Sequence, residues 1–164
     1  MSDIAKLVDD SNVEQLPFEN TPSDLDEASH AELVLMINQS SASLLFAKDI
    51  QWKSVGAALV VFGANIAIAH YSSVDRFLIS LLGWFSIVLA AGTIFVLAMY
   101  QAWQVNELGK INAAEAHFST LYRNVRDLKS RREGNFHRYT LLACMVVLVL
   151  SGAFVSNMVI ARML

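Results

Sequence analysis

Residues 77–99 read FLISLLGWFSIVLAAGTIFVLAM, a run from Phe77 to Met99 without one charged side chain. A Lys, Asp or Arg near the centre of a bilayer costs roughly 2.5–3.5 kcal/mol on insertion scales, so a stretch this clean reads as a membrane span. Two further stretches share the exclusion, Val55–Ala69 before it and Thr140–Ala161 after it. Each span needs about twenty residues to cross about 30 Å of hydrocarbon. The first run reaches that length only if Trp52, Ser54 and His70 enter the interface; the alternative is that Val55–Ala69 merely dips in and two spans cross.

Composition agrees with a small integral membrane protein. The 164 residues are 55% hydrophobic and 16% charged, where a soluble domain carries about 25% charged residues. The net charge of −3 hides an asymmetry. Residues 1–54 are acidic, with Lys6, Lys48 and Lys53 facing an excess of Asp and Glu, whereas 101–138 holds Lys110, Arg123, Arg126, Lys129, Arg131, Arg132 and Arg138 against four acids. Pieces of opposite sign attract each other.

Charge also orients the chain. The turn Tyr71–Arg76 and the C-terminal tail carry one cation each, Arg76 and Arg162, so the positive-inside rule predicts a cytoplasmic 101–138, a cytoplasmic N-terminus and an external C-terminus. Trp52, Tyr71, Tyr100, Trp103 and Tyr139 flank the spans, where amphipathic rings favour the headgroup region. The first thirty residues lack a basic, then apolar, leader, so no cleavable signal peptide is expected and the first span directs insertion to the inner membrane.

The expected architecture is an all-α integral membrane protein: three transmembrane helices, with cytosolic amphipathic helices before the first span and between the second and third. Its parts are an acidic tail over 1–20, a cytosolic amphipathic helix over 21–54, a helical hairpin over 55–100, a basic connector over 101–138, and a third span with a short external tail over 139–164. Thr21-Pro22-Ser23-Asp24 has the form of a helix start, and Leu25, Ala28, Leu33, Met36, Ile37, Leu44 and Ala47 recur at three- and four-residue steps.

In the connector, Ile111, Phe118 and Val125 fall seven apart, as do Ala114, Leu121 and Leu128 in the offset register. That is an a/d seam. A straight helix from 101 to 133 would end about 50 Å from the membrane, and the five residues Gly134–Arg138 would recover only about 17 Å. The second span is therefore expected to end near Leu108, with Gly109 closing it, and a separate helix from Asn112 to Glu133 to return toward the bilayer before Gly134-Asn135. Its apolar stripe needs a cover: the acidic helix before the first span, a second subunit, or the lipid surface, where Arg123, Arg126, Lys129, Arg131 and Arg132 would meet anionic headgroups. Matching sign and length favour the acidic helix.

Embedded polar residues are the usual pointers to function in a membrane protein. Here they are Asn65, Ser80, Ser86, Thr93, Ser151, Ser156 and Asn157, none ionisable, so a carboxylate or histidine proton relay has no mid-membrane candidate. Asn65 and Asn157 are expected to hydrogen-bond across helices; the sharper alternative has Asn65 lining a polar path in an oligomer. Gly63-x-x-x-Ala67 and Gly152-x-x-x-Ser156 let backbones approach closely. His70 and His137 fall at opposite ends of their spans and do not share a haem iron, and His30 and His117 lack metal-ligand spacing. Cys144, the single cysteine, reads as a lipid-compatible core residue. No phosphate-binding loop or nucleophile elbow occurs, no cofactor or metal is expected, and the run Lys129-Ser130-Arg131-Arg132 reads as a topology determinant and not as a nucleic-acid site.

These features point to a non-enzymatic assembly or docking subunit that works in the lipid bilayer as a homo-oligomer or within a larger membrane complex, joined through its spans and cytosolic helices. The alternative is an oligomeric pore-forming or membrane-disrupting effector, gated by those helices through dewetting of charge-free spans.

Overall fold

A computed structural model describes residues 20–71, 76–127 and 131–162. It is all-helical, with no strand among the described residues. The elements in chain order are α1 (Glu27–Tyr71), α2 (Arg76–Glu115), α3 (Thr120–Asp127) and α4 (Arg131–Ala161). Three of them, over Glu27–His70, Arg76–Glu115 and Phe136–Ala161, are long and apolar enough to cross a membrane. With 45 residues, α1 is about 68 Å long at 1.5 Å per residue, more than twice the thickness of a hydrocarbon core.

The first helix starts later than its local signals predict. Asp26 is the cap, its carboxylate accepting from the Ser29 amide at 3.2 Å, and these bonds with Ser29 hold its pKa below the usual aspartate value. Thr21 and Ser23 serve another purpose. The Thr120 amide donates to the Thr21 carbonyl and the Thr21 amide to Thr120 Oγ1, while Ser23 Oγ donates to the His117 carbonyl. These bonds tie the entry to α1 onto the turn between α2 and α3.

That turn corrects the expected connector. α2 runs through Gly109 to Glu115, so Asn112 caps nothing; α3 spans only Thr120–Asp127; and Gly134 and Asn135 lie inside α4. An interior glycine costs a helix only about 1 kcal/mol, which the burial of Leu97, Ile111 and Ala114 along the same helix offsets. The chain leaves the α-helix at 116–119 instead, where His117 and Phe118 donate to the carbonyls three residues back and Ser119 Oγ accepts from the Tyr122 amide to begin α3. The break divides the heptad seam. Ile111, Ala114 and Phe118 are buried, but Leu121 and Val125 are 45% and 61% exposed. Leu128, Lys129 and the tail over 1–19 lie outside the described residues, as do the side chains of Arg131 and Arg132.

The three long helices pack as a bundle with α1 and α4 side by side and α2 running between their ends in the opposite direction. Val55, Ala58 and Phe62 of α1 meet Ala90 and Leu97 of α2 and Met145, Val149 and Ala153 of α4. Toward the other end Ala69, Ile79 and Ile160 form a second apolar cluster. The buried positions recur at steps of three and four residues: Ala58, Phe62, Asn65 and Ala69 on α1; Ala90, Thr93, Leu97, Gln101 and Gln104 on α2; Met145, Val149, Ala153, Ser156 and Ile160 on α4. On α2 a seven-residue series, Ala90, Leu97, Gln104 and Ile111, runs along the buried face.

Candidate functional site

Between the two apolar clusters lies a polar layer built from one side chain of each helix. Asn65 Nδ2 of α1 donates to Ser86 Oγ of α2 at 3.0 Å, and Ser86 donates to the Leu82 carbonyl one turn back at 3.0 Å. Ser156 Oγ of α4 stands 3.3 Å from Ser86 Oγ. A hydroxyl has one proton and two acceptor sites. Since the Ser86 proton goes to Leu82, Ser156 is the donor in the second contact, and Ser86 has every bond it can make. Ser86 and Ser156 are both fully buried.

This places Asn65 inside its own bundle, bonded to Ser86, and not on an outer face open to a second subunit. Asn157 Nδ2 donates to the Ala153 carbonyl at 3.0 Å. Its Oδ1 stands 3.1 Å from where a Cβ on Gly83 would lie, so the absence of a side chain there makes its room.

The two small-residue pairs behave differently. A Cβ on Gly152 would fall 2.8 Å from both Leu59 Cδ2 and Phe62 Cδ2, so α4 approaches α1 at Gly152 more closely than a side chain would allow. Gly63 and Ala67 are on the exposed side of α1, and a Cβ on Gly63 would meet nothing within 4 Å.

A second polar group occupies the other end of the bundle, where the apolar halves of the helices begin. Gln51 Nε2 donates to the Leu97 carbonyl at 3.0 Å, and Gln104 Nε2 donates to Gln51 Oε1 at 2.8 Å. Further along α2, Glu107 is buried and accepts from Lys110 Nζ at 2.7 Å and Trp103 Nε1 at 3.1 Å. Lys110, then the Ser40 hydroxyl of α1, then Trp103 hold its carboxyl below the usual glutamate range. Glu115 is buried as well, bound by Arg126 Nε at 2.9 Å and the Tyr122 hydroxyl at 3.3 Å, which fastens α3 to the end of α2. Burial, and then the Glu115 charge, push the Tyr122 phenol above its usual value. The Phe118 ring packs on His30 of α1, with centroids 5.2 Å apart.

Of the residues singled out from sequence, the structure brings together Asn65 with Ser156, Gly152 with α1, and Phe118 with α1. The basic side chains separate: Arg126 is engaged by Glu115, and Arg123 borders the cleft at Thr21–Leu25. Gln51, Gln101 and Gln104 were missed by sequence reasoning, although 104 continues the seven-residue series of Ala90 and Leu97, and 51 that of Ala58 and Asn65. Among the described residues no group of three His, Cys, Asp or Glu side chains is placed to hold a metal ion. Comparison with protein-family models, curated proteins and solved structures finds no match to this chain.

Proposed function

We propose that this chain is a non-enzymatic inner-membrane assembly subunit, crossing the bilayer three times, with its N-terminus and residues 101–138 in the cytoplasm and its C-terminus outside. The charge balance of the short loops supports that orientation. In this reading the bundle is a rigid base: its polar layer is satisfied within the chain. The polar halves of α1 and α2, with α3, form the docking end.

One observation carries the docking role. The segments beyond the charge-free stretches still expose large apolar side chains, among them Leu35, Leu45 and Phe46 on α1 and Leu121 and Val125 on α3. Apolar side chains that share one helix face and stay open to solvent, as Leu121 and Val125 do one turn apart on α3, mark a contact with another protein. Outward-facing Gly63 and Ala67 offer a close-approach surface for a second copy within the lipid.

The test separates assembly from folding. Leu121→Asp with Val125→Asp changes exposed positions, so the variant should keep its helicity while the detergent-solubilised particle falls to the mass of one chain in light scattering. Ile111→Asp or Phe118→Asp buries a charge within the chain and should instead unfold the docking end. A particle of unchanged mass in the Leu121→Asp, Val125→Asp variant would refute the docking role of α3.

A further inference from the structure

At the end of the bundle where α1, α2 and α4 leave their charge-free stretches, a small cavity opens between two cations. Lys48 comes from α1 and Arg138 from α4, and Gln51, Gln101 and Gln104 form the inner wall. The cavity measures about 20 Å³. That is room for a single oxygen atom, since a water needs at least about 10–15 Å³ by the same measure.

The wall is unevenly satisfied. Gln51 and Gln104 bond to each other and to α2, but Gln101 Nε2 is buried with no hydrogen-bond acceptor, in a residue 7% exposed. A buried amide donor without an acceptor costs roughly 1–3 kcal/mol, so its retention calls for a partner that arrives from outside. No Asp or Glu lines the cavity among the described residues. What is missing is an oxygen acceptor, and the Lys48 ammonium and Arg138 guanidinium that also line the cavity favour one that carries negative charge.

The surroundings indicate what carries that oxygen. Trp52 and Leu141 also line the cavity, and the Arg138 guanidinium lies 5.6 Å from the centroid of the Tyr139 ring. An indole and a phenol beside two cations, next to an apolar surface, fit the depth of lipid headgroups if the three helices cross a bilayer.

We propose that this cavity binds the phosphate group of an anionic phospholipid, one oxygen entering to accept from Gln101 while Lys48 and Arg138 hold the other oxygens. The inference rests on the membrane-spanning reading. It adds a specific ligand chemistry to one end of the bundle.

The test uses the full chain, purified in mild detergent, with thermal unfolding followed on addition of phosphatidylglycerol, phosphatidylcholine or inorganic phosphate. Phosphatidylglycerol should raise the midpoint and phosphatidylcholine should not. Lys48→Gln and Arg138→Gln should each remove most of that rise, and Arg76→Gln, at the other end of the bundle, should keep it. Gln101→Leu is the sharper variant: without lipid it should unfold no lower than the parent chain, because the unpaired amide is gone, yet respond to phosphatidylglycerol less. An equal rise with inorganic phosphate would support the site and assign it to a free anion. An equal rise with both lipids, or an undiminished rise in Lys48→Gln, Arg138→Gln and Gln101→Leu alike, would overturn it. A chain that withstands carbonate extraction from membranes but shows no lipid preference loses the site and keeps its spans.

Discussion

Gly152→Val should open the bundle, and Gly63→Ala should leave its packing unchanged while stabilising α1. A Cβ at 152 would sit 2.8 Å from Leu59 Cδ2 and Phe62 Cδ2, closer than any real Cβ contact. Leu59 is partly exposed and can swing aside, but Phe62 is buried among Val55, Ala58 and Met145 and has nowhere to go. Overpacking of this kind costs about 1–3 kcal/mol. Replacing glycine within a helix returns up to about 1 kcal/mol. Gly152→Ala should therefore lower stability only slightly, and Gly152→Val, whose branched side chain adds two more methyls at the same point, should lower it by about 3 kcal/mol. At Gly63 the added methyl meets open space within its own chain, so in a single chain only the helix gain remains. Thermal unfolding of the three variants in one detergent checks the order: Gly63→Ala highest, then the parent chain, Gly152→Ala and Gly152→Val. A Gly152→Val protein as stable as the parent would mean that α4 does not lie against α1 at this point.

Ser86→Ala should be the most damaging conservative change in the polar layer, because Ser86 is the shared acceptor for Asn65 and Ser156. Removing it leaves two polar side chains without their partner at fully or nearly fully buried positions. Each unpaired group costs roughly 1–3 kcal/mol in a protein interior, and hydrogen bonds between helices in lipid average nearer 0.6, so a loss of roughly 1–3 kcal/mol is expected. Asn65→Leu, which removes only a donor, should cost less. Replacing all three, as Asn65→Leu, Ser86→Ala and Ser156→Ala together, should recover most of the loss, since an apolar layer has nothing left to satisfy. Thermal unfolding of the single and triple variants measures this non-additivity. Strictly additive losses would mean that the three side chains do not share one network.

Much of the architecture was legible because lipid-compatible stretches announce themselves by what they exclude. The free energy of placing an arginine in hydrocarbon is large enough to make the apolar cores of the three long helices readable without any contact information. Asn65, Ser86 and Ser156 were likewise visible as embedded polar residues, but their convergence was not, since it depends on the rotation and register of three helices at once. Local stop signals failed where packing outweighed them. Gly109 and Gly134 each cost a helix about as much as one buried methylene contributes, so α2 and α4 run through both. The break came at 116–119, where the buried Glu115 recruits Arg126 and Tyr122 and the 21–23 segment binds the turn. The heptad spacing in 111–128 extends the seven-residue series of buried positions Ala90, Leu97 and Gln104, but the turn at 116–119 ends the helix that carries it, so the seam stops at Phe118. Small-residue pairs were ambiguous: sequence locates Gly63 and Gly152 on helices, but only packing says that Gly152 faces α1 and Gly63 faces outward.

Three crossings with the basic segment inside are tested most directly by cysteine accessibility. With the native cysteine removed as Cys144→Ser, single cysteines are introduced as Arg126→Cys or Arg162→Cys, and intact cells with a permeabilised outer layer are treated with a membrane-impermeant maleimide. The proposed topology predicts labelling at position 162 in intact cells, and at position 126 only after the inner membrane is opened. Labelling of position 126 from outside, or recovery of the chain in the soluble fraction after membranes are sedimented, would contradict it.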